Sequence, residues 1–129
     1  MAGVTLGFVN IPPSRLDVGT AGEAAALAHY RRAGYRVVAR NWRCALGEID
    51  LVVAKDSTLV FCEVKCRRGL ALGGPYEAVT WKKQRKLRVL ANAFLAATRR
   101  GVPGVRFDVA SVTLDVRGDA SVFVFEDAF

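Results

Sequence analysis

Apolar residues recur at helical spacing in two stretches of the chain and at strand spacing in five more. The first helical stretch is Ala-rich and runs from Thr20 to about Ala33. Thr20 and Glu23 have capping-box spacing at its start, and Gly34 stands where a left-handed residue ends a helix. The second runs from about Thr80 to Arg100, repeats Leu87, Leu90, Ala91, Phe94 and Leu95 along one face, and meets Gly101. Between the helices, Tyr35 to Arg43, Glu48 to Ala54 and Thr58 to Cys66 predict three strands, the last two joined by a hairpin at Lys55, Asp56 and Ser57. Residues 67–74 turn basic and then glycine-rich, which predicts a loop. Arg106 to Asp115 and Ser121 to Phe125, separated by a turn at Gly118, predict two further strands. The order helix-strand-strand-strand-helix-strand-strand implies an α/β fold, a central mixed sheet flanked by helices, because both helical stripes and both sheet faces need cover. Residues 1–18 hold Pro12 and Pro13 and no sustained period, so they read as a flexible arm before a single domain over 19–129.

Parity within the strands carries the chemistry. Successive side chains of a strand alternate between its faces. Glu48 and Asp50 therefore share a face with Val52, and Glu63 and Lys65 share one with Leu59 and Phe61. A two-residue hairpin loop at Asp56 and Ser57 would set Asp50 directly opposite Glu63, with β-carbons roughly 4.5–5.5 Å apart. A three-residue loop would set Cys62 opposite Asp50 instead and turn Glu63 to the other face, unless a bulge restored the alignment. Two carboxylates at close range need a proton or a cation between them, and Mg²⁺ or Mn²⁺ suits oxygen ligands. Lys65 reaches the same cleft and could position or deprotonate a water, or face charge developing on a phosphate. A structural ion pair between Lys65 and a carboxylate at a sheet edge is the competing reading. Glu23 and Gln84, near the starts of the two helices, are outer candidates. Glu23 also reads as a helix-capping partner and Gln84 as an ordinary exposed helix residue.

Charge changes the picture from a generic acidic pair to a pair beside a basic surface that favours polyanions. The 129 residues carry nineteen Lys and Arg against twelve Asp and Glu, a formal charge of +7. No acidic residue lies between Glu77 and Asp108, where Lys82, Lys83, Arg85, Lys86, Arg88, Arg99, Arg100 and Arg106 fall. Arg67 and Arg68 follow the candidate lysine and extend this basic wall, and Arg43 belongs to a second basic cluster on the first strand. Nucleic acid is the partner such a surface favours. Trp42 and Trp81 read as packing residues before base-stacking platforms. The three cysteines form no CxxC pair, and their odd number leaves at least one without an intramolecular disulfide. His29 has no companion histidine, which argues against a zinc site. With no signal-like start and no run of eighteen apolar residues, the expectation is a cytoplasmic protein without integral membrane association.

Gly22-Glu23, Asn41-Trp42-Arg43, Gly47-Glu48-Ile49-Asp50-Leu51, Phe61-Cys62-Glu63-Val64-Lys65, Gly74-Pro75, Glu77-Ala78-Val79 and Lys82 followed by Leu87 form an ordered series over about Gly19 to Val112. It resembles the bacterial YraN-like family, itself similar to the restriction-endonuclease-like (PD-(D/E)xK) superfamily and to Holliday-junction resolvases. The resemblance implies a restriction-endonuclease-like core. It matches Asp50 and Glu63 to metal carboxylates, Lys65 to the motif lysine, Glu23 to an accessory helix acid and, more loosely, Gln84 to a polar helix residue. Ile49 stands where the superfamily's named pair has proline.

Residues and resemblance together give the expectation of a metal-dependent DNA endonuclease, acting on branched or damaged DNA. Glu23, Asp50, Glu63, Lys65 and Gln84 are its catalytic candidates; Glu48, Asp50 and Glu63 are its Mg²⁺ or Mn²⁺ ligands. Arg43, Arg67, Arg68, Lys82, Lys83, Arg85 and Lys86 are its DNA contacts. A homodimer is expected if two strands are cut symmetrically. The alternatives are a non-catalytic nucleic-acid-binding module with a nuclease-like fold and a scaffold that docks an acidic protein through the second helix.

Overall fold

The computed structural model describes residues 4–10, 18–69, 80–99, 101 and 104–129. The glycine-rich segment beyond Gly69, including Gly74-Pro75 and Glu77, and Arg100 lie outside the described residues.

The elements are β1 (Val4–Asn10), α1 (Val18–Arg32), β2 (Arg36–Cys44), β3 (Gly47–Lys55), β4 (Thr58–Arg68), α2 (Trp81–Thr98), β5 (Gly104–Leu114) and β6 (Asp119–Phe125). From α1 onward the order is the expected one. The sheet carries one strand more: β1 falls in the segment expected to be a flexible arm and lies antiparallel beside β6, Val4 opposite Phe125 and Asn10 opposite Asp119. A strand needs only a free edge to pair with, and β6 supplies one. The sheet order is β1-β6-β5-β4-β3-β2, with β4 and β5 parallel and every other neighbouring pair antiparallel, so the sheet is mixed.

Alternation along the central strands gives each helix its own core. Val60 and Cys62 of β4 join Ala21, Ala25, Ala26, Leu27 and Tyr30 of α1 on one face. Leu59 and Phe61 join Leu87, Leu90, Ala91 and Phe94 of α2 on the other. The small residues of α1 permit a close approach to β4. A Cβ on Gly22 would stand 2.4 Å from Cys66 Cβ, a distance no side chain could accept, so the helix seats tightly there and carries Glu23 to the sheet with it.

Three local expectations change. α1 starts at Val18, two residues before Thr20, so Thr20 and Glu23 sit inside the helix rather than at cap and third position, and Glu23 is released from the capping role. α2 ends at Thr98 with Arg99, not Gly101, in the left-handed conformation (φ 51°), while Thr80 caps its start by accepting from Lys83 N–H at 3.2 Å. β4 continues through Arg67 and Arg68, which belong to the strand and not to a loop.

Candidate metal centre

The β3–β4 hairpin has the two-residue loop. Lys55 pairs with Thr58, and the register runs unbroken to Leu51 opposite Cys62. The next pair in that register is Asp50 with Glu63, and there the pairing stops. β3 goes on to Gly47 against β2, and β4 goes on to Arg68 against β5. The sheet therefore forks at the two acids. Asp50 closes part of the gap itself: its Oδ2 accepts from Val64 N–H of β4 at 2.9 Å, a backbone donor that a continuing ladder would have used.

The fork also breaks the parity expected of β3. Ile49 packs in the α2 core and Leu51 in the α1 core, although strict alternation would put both on one face. Opposite Asp50 in the β2 register stands Asn41, between the paired residues Arg40 and Trp42, with φ 49°. Asparagine tolerates that left-handed conformation better than most residues. Glu48 and Asp50 thus meet across a kink rather than by simple strand alternation.

Three carboxylates converge here. Glu23 of α1 and Glu48 and Asp50 of β3, all half-buried, each offer an oxygen, and those oxygens lie within 4.8 Å of one another. Glu63, expected as a metal ligand, is outside this trio but belongs to the same electrostatic unit. Burial, followed by the charge of Glu63, raises the Asp50 carboxyl from 3.8 to about 7, against the lowering effect of the Val64 N–H. Burial also raises Glu63, with Glu23 and Glu48 adding to the rise and Lys65 and Lys83 opposing it. Lys65 is pushed down, by burial first and then by Lys83, whose amine stands beside it. The trio comes from the helix on one face and from β3, and Lys83 comes from the helix on the other face. The donor set is all oxygen and mutually repulsive, which fits a hard divalent cation.

The remaining candidates divide. Lys82, Lys83, Arg85 and Lys86 are exposed at the start of α2, as expected. Gln84 is half-buried in the same turn, its backbone N–H bonded to Thr80 O at 2.9 Å. Arg67 shares the Glu63–Lys65 side of β4 and acts on Lys65, whereas alternation sends Arg68 to the side of Cys66. Arg43 pairs with Glu48 of the trio, so it neutralises the centre as well as facing solvent. Arg106 leaves the basic surface: it is bound to Asp108, Tyr35 and Glu126. Trp42 packs edge-on against Phe94 at 5.2 Å, while Trp81 is 69% exposed. Sequence reasoning missed Val64 N–H, because a backbone donor carries no residue signature. It named Asn41 only as part of the motif series and missed its left-handed backbone, for which the residue type was the available signal.

The chain has relatives among known sequences. The chain is 43% identical to a UPF0102 protein of Rhodococcus jostii (strain RHA1) over 114 residues, covering 88% of this chain and 97% of that one. It is 46% identical to one from Symbiobacterium thermophilum over 112 residues, 87% of this chain and 95% of that one. It is 36% identical to one from Caldicellulosiruptor saccharolyticus over 117 residues, 90% of this chain and 99% of that one. The profile of the uncharacterised protein family UPF0102 matches residues 22–112, a span that opens at Gly22, the seat of α1, and takes in Glu23, the fork and all of α2. The chain belongs to this UPF0102 family, the YraN-like family that its motifs resemble.

Proposed function

We propose that this protein is a divalent-cation-dependent DNA endonuclease whose centre is the fork between β3 and β4. The observation that carries the reading is the convergence of Glu23, Glu48 and Asp50 within 4.8 Å, beside Glu63 and a lysine held below its ordinary range. Glu23, Glu48 and Asp50 would hold Mg²⁺ or Mn²⁺, with Glu63 at its margin. A cation so held lowers the pKa of a bound water and polarises a phosphoryl oxygen. The protein's own groups do the rest. Val64 N–H fixes the Asp50 carboxylate, and Gly22 lets Glu23 reach it. Lys65, whose proton is loosened by burial and by Lys83, takes the proton of the attacking water. Lys83, beside it, faces the phosphate as negative charge develops. Lys82, Arg85 and Lys86 hold neighbouring phosphates, which gives affinity without reading sequence.

The test is a cleavage panel of single-stranded, blunt duplex, flap and four-way DNA with Mg²⁺ or Mn²⁺. Wild type should cut at least one substrate, and Asp50→Ala and Glu63→Ala should cut none. Cutting that survives both substitutions contradicts the assignment. Salt-sensitive binding without cleavage of any substrate would leave a nucleic-acid-binding module in its place.

A further inference from the structure

An open cleft of about 370 Å³ lies between α2 and the β2–β3 turn, lined by Leu46, Lys82, Arg85, Lys86, Val89 and Leu90. Its chemistry is mixed in a specific way. Leu46 is 52% exposed and Val89 50% exposed, so two large apolar side chains face water beside the buried Leu90. Among the described residues, three cations border them and no acid does. Neither Lys82 nor Lys86 has a carboxylate partner among the described residues. Gly47 brings the turn hard against the helix: a Cβ there would meet Lys86 Cε at 3.1 Å and Leu90 Cδ1 at 3.6 Å. At the helix start, Arg85 lies over the exposed Trp81 ring at 5.1 Å.

The cationic rim selects an anion, yet a phosphate chain alone has no use for an apolar floor. A nucleotide supplies both parts, a flat base and a phosphate. In a duplex the base is stacked and paired, so only an unpaired nucleotide presents its face to such a floor. Leu46 stands two residues before Glu48, at most about 7 Å of backbone. An occupant of the cleft therefore lies next to the strand that carries two of the three carboxylates.

We infer that this cleft receives an unpaired nucleotide, its base against Leu46, Val89 and Leu90 and its phosphate against Lys82, Arg85 and Lys86, so that the DNA substrate has a single-stranded stretch adjoining the cut. The inference deepens the endonuclease reading and rests on it for the cut, but not for the binding. Its test therefore runs in EDTA, where no cleavage occurs. Fluorescence anisotropy compares a labelled single strand of about 12 nucleotides with a blunt duplex of equal length, using wild type, Leu46→Ser and Val89→Ser. Both positions are half exposed, and circular dichroism together with unchanged duplex affinity verifies folding. Each substitution should weaken single-strand binding by about five- to tenfold, and a strand of abasic sites should bind wild type as weakly as the normal strand binds the variants. Equal losses on strand and duplex, no loss on either, an abasic strand bound as tightly as a normal one, or displacement by polyglutamate as effective as by single strand would each overturn the inference. Base-sensitive binding with no cleavage in Mg²⁺ keeps the cleft and removes the hydrolysis. Cleavage of DNA with base-insensitive binding does the reverse.

Discussion

Replacing Asp50 with Asn should stabilise the metal-free protein at pH 8 while abolishing its response to Mg²⁺. The Asp50 carboxyl is raised from 3.8 to about 7, chiefly by burial and then by Glu63. Below pH 3.8 it is protonated folded and unfolded, and contributes nothing to pH dependence. Between 3.8 and about 7 the unfolded chain releases the proton and the folded chain keeps it, so stability falls as pH rises through that window. Above about 7 the cost of the buried anion is fully present. Ionisation delayed over that interval corresponds to about 4 kcal/mol. Solvent reaches part of the carboxylate, so about 1–3 kcal/mol is the gain expected for Asp50→Asn at pH 8. The substituted amide oxygen can still accept from Val64 N–H, which keeps the local geometry. Urea unfolding at pH 4 and pH 8, with EDTA or with saturating Mg²⁺, reads the effect. In EDTA the variant should match wild type at pH 4 and exceed it at pH 8. In Mg²⁺ wild type should gain more than about 1 kcal/mol and the variant almost nothing. A variant destabilised by the same amount at both pH values, in either buffer, would refute the reasoning.

Gly22→Ala places a Cβ 2.4 Å from Cys66 Cβ and should push α1 off β4, costing about 1–3 kcal/mol in urea unfolding and weakening Mg²⁺ binding because Glu23 moves with the helix. Asp108, buried, accepts from Tyr30 Oη at 2.7 Å, Arg106 Nε at 2.8 Å and Asp127 N–H at 3.0 Å. Asp108→Ala should therefore cost about 3–5 kcal/mol by the same measurement while leaving Mn²⁺ affinity of the folded protein unchanged. Lys86→Ala should reduce the slope of log affinity for duplex DNA against log salt by about 1, an effect that anisotropy at several salt concentrations measures.

Much of the fold was legible because each element announces itself locally. The stripe Leu87, Leu90, Ala91 and Phe94 is a helix face, and Val60 and Cys62 against Leu59 and Phe61 is a strand buried on both sides. The sequence left two hairpin registers open, and the two-residue turn of the structure selects the one that sets Asp50 and Glu63 at one level of the sheet. The extra edge strand was not legible, since Val4–Asn10 gains its structure from β6, a partner more than a hundred residues away. The fork was not legible either. It depends on where two strands choose different neighbours and on a backbone N–H, and neither leaves a periodic trace. Strict alternation consequently put Glu48, Asp50 and Val52 on one face. The kink at Asp50 instead brings Glu23 of the α1 side into the acidic trio and leaves Glu63 beside it. Arg106 shows the same limit among the cations, because its partners Tyr35 and Glu126 are distant in the chain.

The most direct measurement is a calorimetric titration of Mn²⁺ into the protein at pH 6.5, repeated in buffers of different ionisation enthalpy. The carboxylate trio predicts saturable binding accompanied by proton release, because Asp50 is largely protonated there and must ionise to coordinate. Asp50→Ala should abolish both the binding and the release. Mn²⁺ bound with equal affinity by wild type and Asp50→Ala, or no saturable binding by wild type, would contradict the centre itself.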